Sequence, residues 1–114
     1  MNNRGKDAEA RAAQYLQAQG LHIVERNYRC RYGEVDLIAR DGATLVFVEV
    51  RARSSNAFGG AAASITAAKR AKLTRTALHY LAAAGHTPLC RFDAVLLSGN
   101  AAPVEWIRDA FSSS

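Results

Sequence analysis

Two acidic residues stand where strands would be expected to carry apolar side chains. Asp36 sits within Gly33-Glu34-Val35-Asp36-Leu37-Ile38-Ala39-Arg40, and Glu49 within Leu45-Val46-Phe47-Val48-Glu49-Val50-Arg51. Charged groups in the middle of apolar strands are disfavoured unless they are paired or bound to a metal. Two carboxylates held near each other repel, so a cation between them is a natural resolution. Carboxylate oxygens suit Mg²⁺ or Mn²⁺, and Mg²⁺ typically takes one or two carboxylates together with substrate phosphates. Arg51 lies two residues beyond Glu49, on the same side of its strand, as a cation beside the acids. The same spacing is also met by an ion pair of Glu34 or Glu49 with Arg51 on a solvated sheet face.

The elements that must position these groups are two strands joined by a turn at Asp41-Gly42, a strong hairpin signal. Period-two alternation puts Val35, Leu37 and Ala39 on one face and Glu34, Asp36, Ile38 and Arg40 on the other. Val46, Val48 and Val50 likewise oppose Leu45, Phe47, Glu49 and Arg51. Any loop with an even number of residues brings Asp36 and Glu49 to a common face. A two-residue loop at Asp41-Gly42 pairs Asp36 with Phe47 and Glu34 with Glu49. A four-residue loop sets Asp36 directly opposite Glu49, an arrangement that like-charge repulsion opposes.

Around the hairpin the spacing predicts a helix from about Lys6 to Gln19, with Ala8, Ala12, Tyr15 and Leu16 on its apolar face and Gly20 closing it. Glu9 lies beside that apolar stripe, either as a solvated residue favoured near a helix N-terminus or as a third carboxylate for the site. A first strand follows over Leu21 to Tyr28, with Ile23 and Val24 as its core. Arg26, Arg29 and Arg31 interleave with Tyr28 and Tyr32. That pattern fits a solvated edge, and equally a nucleic-acid groove with phosphate contacts and base stacking. After a loop at residues 54–60, Ser64 is a candidate N-cap for a helix reaching Ala84. Its apolar positions are Ile65, Ala68, Leu73, Ala77, Tyr80, Leu81 and Ala84. Its charges, Lys69, Arg70, Lys72 and Arg75, are all positive, and Lys69, Lys72 and Arg75 gather on one side as a phosphate-facing surface. His79 and His86 have no spacing that argues for a metal or a general base. Two more strands follow, over Leu89 to Leu97 and Val104 to Ile107. Phe92, Ala94 and Leu96 alternate with Arg91, Asp93 and Val95 in the first of these, and Asp93 is placed to orient a basic residue. Helix, three strands, helix, two strands favours one mixed α/β sheet with helices packed on it, in a single domain over residues 1–114.

Composition narrows the partners. The 114 residues carry a formal net charge of +5, with a pI near 9.7, which favours a polyanion. Cys30 and Cys90 form neither a disulfide framework nor a metal-ligand spacing. No run approaches the ~20 apolar residues of a membrane span, and the first residues lack an apolar signal-peptide core. The expectation is a cytoplasmic protein with no membrane partner.

Several segments together carry a resemblance. Gly33-Glu34-Val35-Asp36-Leu37-Ile38, Phe47-Val48-Glu49-Val50-Arg51-Ala52-Arg53, Arg91-Phe92-Asp93 and Asp109-Ala110-Phe111 resemble the YraN family of uncharacterised bacterial proteins. Asn27-Tyr28-Arg29 and Phe58-Gly59 match it too. That family is similar to the restriction-endonuclease-like superfamily, which includes archaeal Holliday junction resolvases. The resemblance implies a restriction-endonuclease-like mixed sheet in the order α-β-β-β-α-β-β. It implies metal ligands at Asp36 and Glu49, with Glu9 as the added ligand of the resolvase branch, and Mg²⁺ or Mn²⁺ as the ion. By the same resemblance Asp36, Glu49 and Arg51 are the catalytic set. Arg29, Arg31, Arg53, Lys69, Lys72 and Arg75 would contact nucleic acid, with DNA as the substrate. A homodimer follows by analogy with the resolvases. The departure is at Arg51, where the superfamily signature has lysine. Arginine stays charged and offers a rigid fork of donors, so it binds phosphate well but is a poor base. Two functions are therefore expected of such a chain: a metal-dependent endonuclease, or a nucleic-acid binding module that kept the nuclease fold.

Overall fold

The computed structural model describes residues 4–52, 65–85, 88–97 and 103–111. Helix α1 (Arg4–Ala18) buries Ala8, Ala12, Ala13 and Leu16. Those spacings put small side chains and one leucine on a single face, which allows close approach to a sheet. Gly20 (φ 99°) ends the helix. The N–H of Gly20 donates to the Gln17 carbonyl and that of Leu21 to the Leu16 carbonyl, both at 3.0 Å. This left-handed closure needs no side chain and turns the chain into the sheet.

Strands β1 (His22–Cys30), β2 (Gly33–Asp41), β3 (Thr44–Ala52), β4 (Cys90–Leu97) and β5 (Glu105–Phe111) form one five-stranded sheet in sequence order. The β1/β2, β2/β3 and β4/β5 pairs are antiparallel, and β3/β4 is parallel. The parallel pair needs a crossover, and the segment containing helix α2 (Ala67–Ala84) supplies it. The expected element order and the mixed α/β sheet are therefore present.

The two helices cover opposite faces. Ile38, Leu45, Phe47, Phe92, Ala94 and Leu96 pack with Leu73 and Ala77 of α2. Leu37, Ala39, Val46, Val48, Val95 and Leu97 pack with α1. Central strands β3 and β4 are thus buried on both faces and read as continuous apolar runs.

Several boundaries differ from the sequence expectation. The first strand runs to Cys30. Its Val24 is 41% exposed while Leu21 is buried. An irregularity between Ile23 and Glu25 on this edge strand resets the register, so Val24 is carried out of the core. The N-cap of α2 is Thr66, whose side chain accepts from the Lys69 N–H at 3.2 Å; Ser64 lies outside the described residues. Within α2, Ile65 before the cap, Leu73 and Ala77 are buried, but Ala68 and Ala84 are exposed, because the helix covers the sheet only along its middle. The last strand extends through Asp109-Ala110-Phe111.

Asp93 ties β4, β5 and the hairpin turn together. It is fully buried and accepts from Arg91 Nε at 2.9 Å, Trp106 Nε1 at 2.9 Å and the Asp109 N–H at 2.9 Å. The β4/β5 ladder is irregular between Phe92 and Ala94, and Asp109 has φ 53° there. The carboxylate takes the N–H of that irregular segment. Arg91 also reaches Asp41 at 3.1 Å, linking β4 to the end of β2. Removing Asp93 takes the acceptor from the Trp106 Nε1–H and the Asp109 N–H and leaves the half-buried Arg91 with Asp41 as its carboxylate. Asp93→Ala is expected to cost about 3–5 kcal/mol of unfolding free energy, measured by denaturant titration. A loss below about 1 kcal/mol would show that the network is not structural.

Candidate functional site

The register of the hairpin decides what faces what. Asp41 pairs with Thr44, so the two-residue loop is Gly42-Ala43, not Asp41-Gly42, and Gly42 adopts φ 62°. Glycine tolerates that left-handed geometry at the first loop position, which moves the turn one residue along. The ladder continues through Leu37↔Val48. The next step would place Asp36 opposite Glu49, the register of a four-residue loop. There the backbone ladder stops, and Asp36 Oδ2 accepts the Val50 N–H at 2.8 Å. The carboxylate takes the position a backbone carbonyl would occupy.

A second departure follows. Val35 packs on the α2 side with Ile38, whereas Leu37 and Ala39 pack on the α1 side. The expected common face of Val35, Leu37 and Ala39 is broken across Asp36, where β2 leaves its ladder with β3. Gly33 permits the close approach of this end of β2 to α2. A Cβ there would lie 3.3 Å from Thr76 Oγ1 and 3.6 Å from Lys72 Cβ, at φ 150°.

Between β2, β3 and α2 lies a cavity of about 230 Å³. Asp36, Glu49 and Glu34 supply acids to its lining, and Lys69 and Lys72 supply cations from α2; Gly33 and Leu73 complete it. Glu49 is buried at 4% exposure. Its Oε2 sits 3.2 Å from Lys69 Nζ and 3.2 Å from Arg51 Nε. Arg51 Nε is itself buried and makes no aligned hydrogen bond, so its contact with Glu49 is an ion pair only. Among the described residues no cation pairs with Asp36.

That asymmetry appears in the protonation of Asp36. Burial pushes its pKa up to about 7, and the Glu49 charge adds to the shift. The Val50 N–H opposes the rise, while Glu9 and Glu34 contribute smaller upward pushes. Glu9 stands on α1, across the sheet from α2, and acts on Asp36 through its charge. Among the described residues no three His, Cys, Asp or Glu side chains gather closely enough to hold a metal ion between them. The structure thus brings Asp36 and Glu49 together with Arg51 and leaves Glu9 at longer range.

The expected phosphate contacts divide. Lys69 and Lys72 line the cavity, and Arg75 lies on exposed helix surface outside that lining. Arg29 is exposed and pairs with Glu34 at 2.9 Å. The Arg31 guanidinium lies 4.9 Å from the centre of the Tyr32 ring. Arg53 and the Phe58-Gly59 loop lie outside the described residues. Two contacts were not foreseen. Lys69 reaches Glu49, a contact its position four residues before buried Leu73 signals, because that spacing places it on the sheet-facing side of α2. His79 Nδ1 lies 2.6 Å from Tyr28 Oη, a pairing between distant segments with no local signal.

The raised Asp36 pKa has a stability consequence. The folded state holds this proton more tightly than the unfolded chain does, so the Asp36 contribution falls as pH rises from 3.8 to about 7. Asp36→Asn keeps an acceptor for Val50 and carries no charge. Its unfolding free energy is expected to match wild type near pH ~4 and to exceed it near pH ~8 by an amount on the order of 3 kcal/mol. Denaturant titrations across that range read the difference; a constant difference would mean that Asp36 is not held as an acid.

Comparison with known proteins assigns the family. The model of "Uncharacterised protein family UPF0102" matches residues 8–97. A UPF0102 protein of Nitrosomonas europaea is 62% identical, covering 98% of this chain and 96% of that protein. One from Methylobacillus flagellatus is 60% identical over 99% of this chain and all of its own length. A more distant relative, from Psychromonas ingrahamii, is 47% identical over 96% of this chain and 90% of that protein. Identity at this level over nearly the full length leaves one conclusion: the chain belongs to uncharacterised protein family UPF0102, the YraN family that its hairpin motif resembles.

Proposed function

We propose that this protein binds nucleic acid and hydrolyses phosphodiester bonds in DNA with the help of a divalent ion, in the manner of a Holliday junction resolvase-like endonuclease. The observation that carries this reading is the pair of carboxylates, buried Glu49 and half-buried Asp36, in one cavity whose lining also includes Lys69 and Lys72. Such a cavity suits a phosphate. Its acids call for a cation, and the lysines of α2 attract an anion.

The donor set fits Mg²⁺ or Mn²⁺. Two carboxylates match what Mg²⁺ takes from a protein when a phosphate and waters complete its shell. Asp36, which has no cationic partner among the described residues, gains most from such an ion. Asp36 and Glu49 would hold it, with Glu9 adding negative charge from α1. When bound, the ion polarises a phosphodiester and lowers the pKa of a coordinated water. The protein's own groups do the rest. Arg51 and Lys69 stand on Glu49 Oε2, and each is placed to bind a phosphate oxygen and stabilise charge that develops on it. Lys72 and Arg75 continue that contact along the backbone without reading sequence.

A second reading is favoured by one residue. Arg51 replaces the signature lysine and cannot give up a proton, so the fold would serve as a binding module that no longer cleaves. Calorimetric titration with Mg²⁺ and Mn²⁺, then branched-DNA cleavage assays, separate the two. Expected are metal binding and cleavage by wild type, both lost in Asp36→Ala, and DNA affinity that falls with salt in both proteins. DNA binding that survives EDTA, with no cleavage under either ion, would favour the binding module. Affinity that stays flat as salt rises would overturn both readings.

A further inference from the structure

The cavity lies at one end of a longer feature. Lys69, Lys72, Thr76 and His79 recur on one flank of α2 at spacings of three and four residues; Thr76 is buried beside Gly33, so the accessible part of this stripe is Lys69 and Lys72 at one end and His79 at the other. From Lys69 to His79 the stripe is about 15 Å long at ~1.5 Å per residue. The Lys69 end meets Glu49, and Lys72 also lines the cavity. The His79 end meets aromatic rings from the β1–β2 hairpin. Tyr32 packs edge-on to His79 at 6.1 Å, and Tyr28 holds His79 through the 2.6 Å contact to Nδ1. Tyr28 is itself braced edge-on against Tyr80 at 5.1 Å, which anchors it to the core. Tyr32 directly precedes Gly33, a residue of the cavity lining, so the rings and the cavity are joined by one turn. Arg31 adds a cation over the Tyr32 ring.

Cations along a helix flank followed by a braced group of aromatic rings match the two components of single-strand recognition: a charged track for the phosphates and a surface on which bases stack. A paired base is already stacked within its duplex, so only an unpaired one can offer its face to a side chain. We infer that this stripe binds an unpaired segment of the substrate. One base stacks at Tyr32 and His79, and the chain runs along Lys72 towards Asp36 and Glu49. The substrate class is then nucleic acid with a single-stranded stretch beside the contacted phosphate, such as an opened junction, a flap or a gap, in preference to continuous duplex. This inference rests on the nucleic-acid reading of the cavity and adds the form of the substrate.

Fluorescence anisotropy in EDTA tests it without requiring cleavage. The probes are a labelled oligothymidylate and a labelled blunt duplex, with wild type, Tyr32→Ala, Tyr32→Phe and His79→Ala, each checked for folding by circular dichroism. Wild type is expected to bind the oligothymidylate at least as tightly as the duplex. Tyr32→Ala is expected to weaken oligothymidylate binding about ten-fold and duplex binding less than about two-fold, with Tyr32→Phe close to wild type. His79→Ala should shift the same way as Tyr32→Ala. Equal losses on both probes, or none, would overturn the stacking surface and leave the cavity's nucleic-acid reading standing. So would wild type that binds duplex but not oligothymidylate. Wild type that binds neither probe would overturn both.

Discussion

Burial of β3 on both faces is the constraint from which the rest follows. Its parallel pairing with β4 places it in the interior, with α1 on one side and α2 on the other. Any charged side chain on β3 must then find partners inside the protein. Glu49 is that side chain. It faces α2, finds Lys69 and Arg51, and leaves the neighbouring Asp36 with the Val50 N–H and, among the described residues, no cation. The end of the β2/β3 ladder, the position of α2 and the cavity between them all belong to this one arrangement.

The sheet holds two buried acidic sites that are resolved differently. Asp93 is satisfied on all sides by a guanidinium, an indole N–H and a backbone N–H, and it binds two strands and the hairpin end together. Asp36 and Glu49 share a cavity whose two ion-paired cations both sit on one oxygen of Glu49, and partial burial together with the Glu49 charge raises the proton affinity of Asp36. The first is a structural network. The second leaves Asp36 without a cationic partner among the described residues, beside the cavity between β2, β3 and α2.

Helix α2 serves both the fold and the candidate site. Leu73 and Ala77 bury its inner face in the sheet, while Lys69 and Lys72, on the adjoining flank, reach the cavity. Because the same turns carry both sets, the core packing fixes where the cations lie. Gly33 is part of this fit, since a side chain there would meet Thr76 and Lys72.

Much of this was legible in the residues alone. Alternation along Leu45–Arg51, the glycine closing α1 and the one-sign charge of α2 determined the elements, their order and the candidate carboxylates, because they depend on local periodicity and turn chemistry. The motif around Asp36 and Glu49 placed the chain in its family. The tertiary structure decided the rest. Which residues form the turn depended on whether Gly42 took the first loop position, and that choice set Asp36 beside Glu49. The break in alternation at Asp36 arose from a side-chain bond to Val50 on another strand. Lys69 on Glu49 and His79 on Tyr28 are contacts across the fold, formed where α2 docks on the sheet; the spacing of Lys69 from Leu73 turns that lysine towards the sheet without specifying its partner, and His79 has no local signal at all.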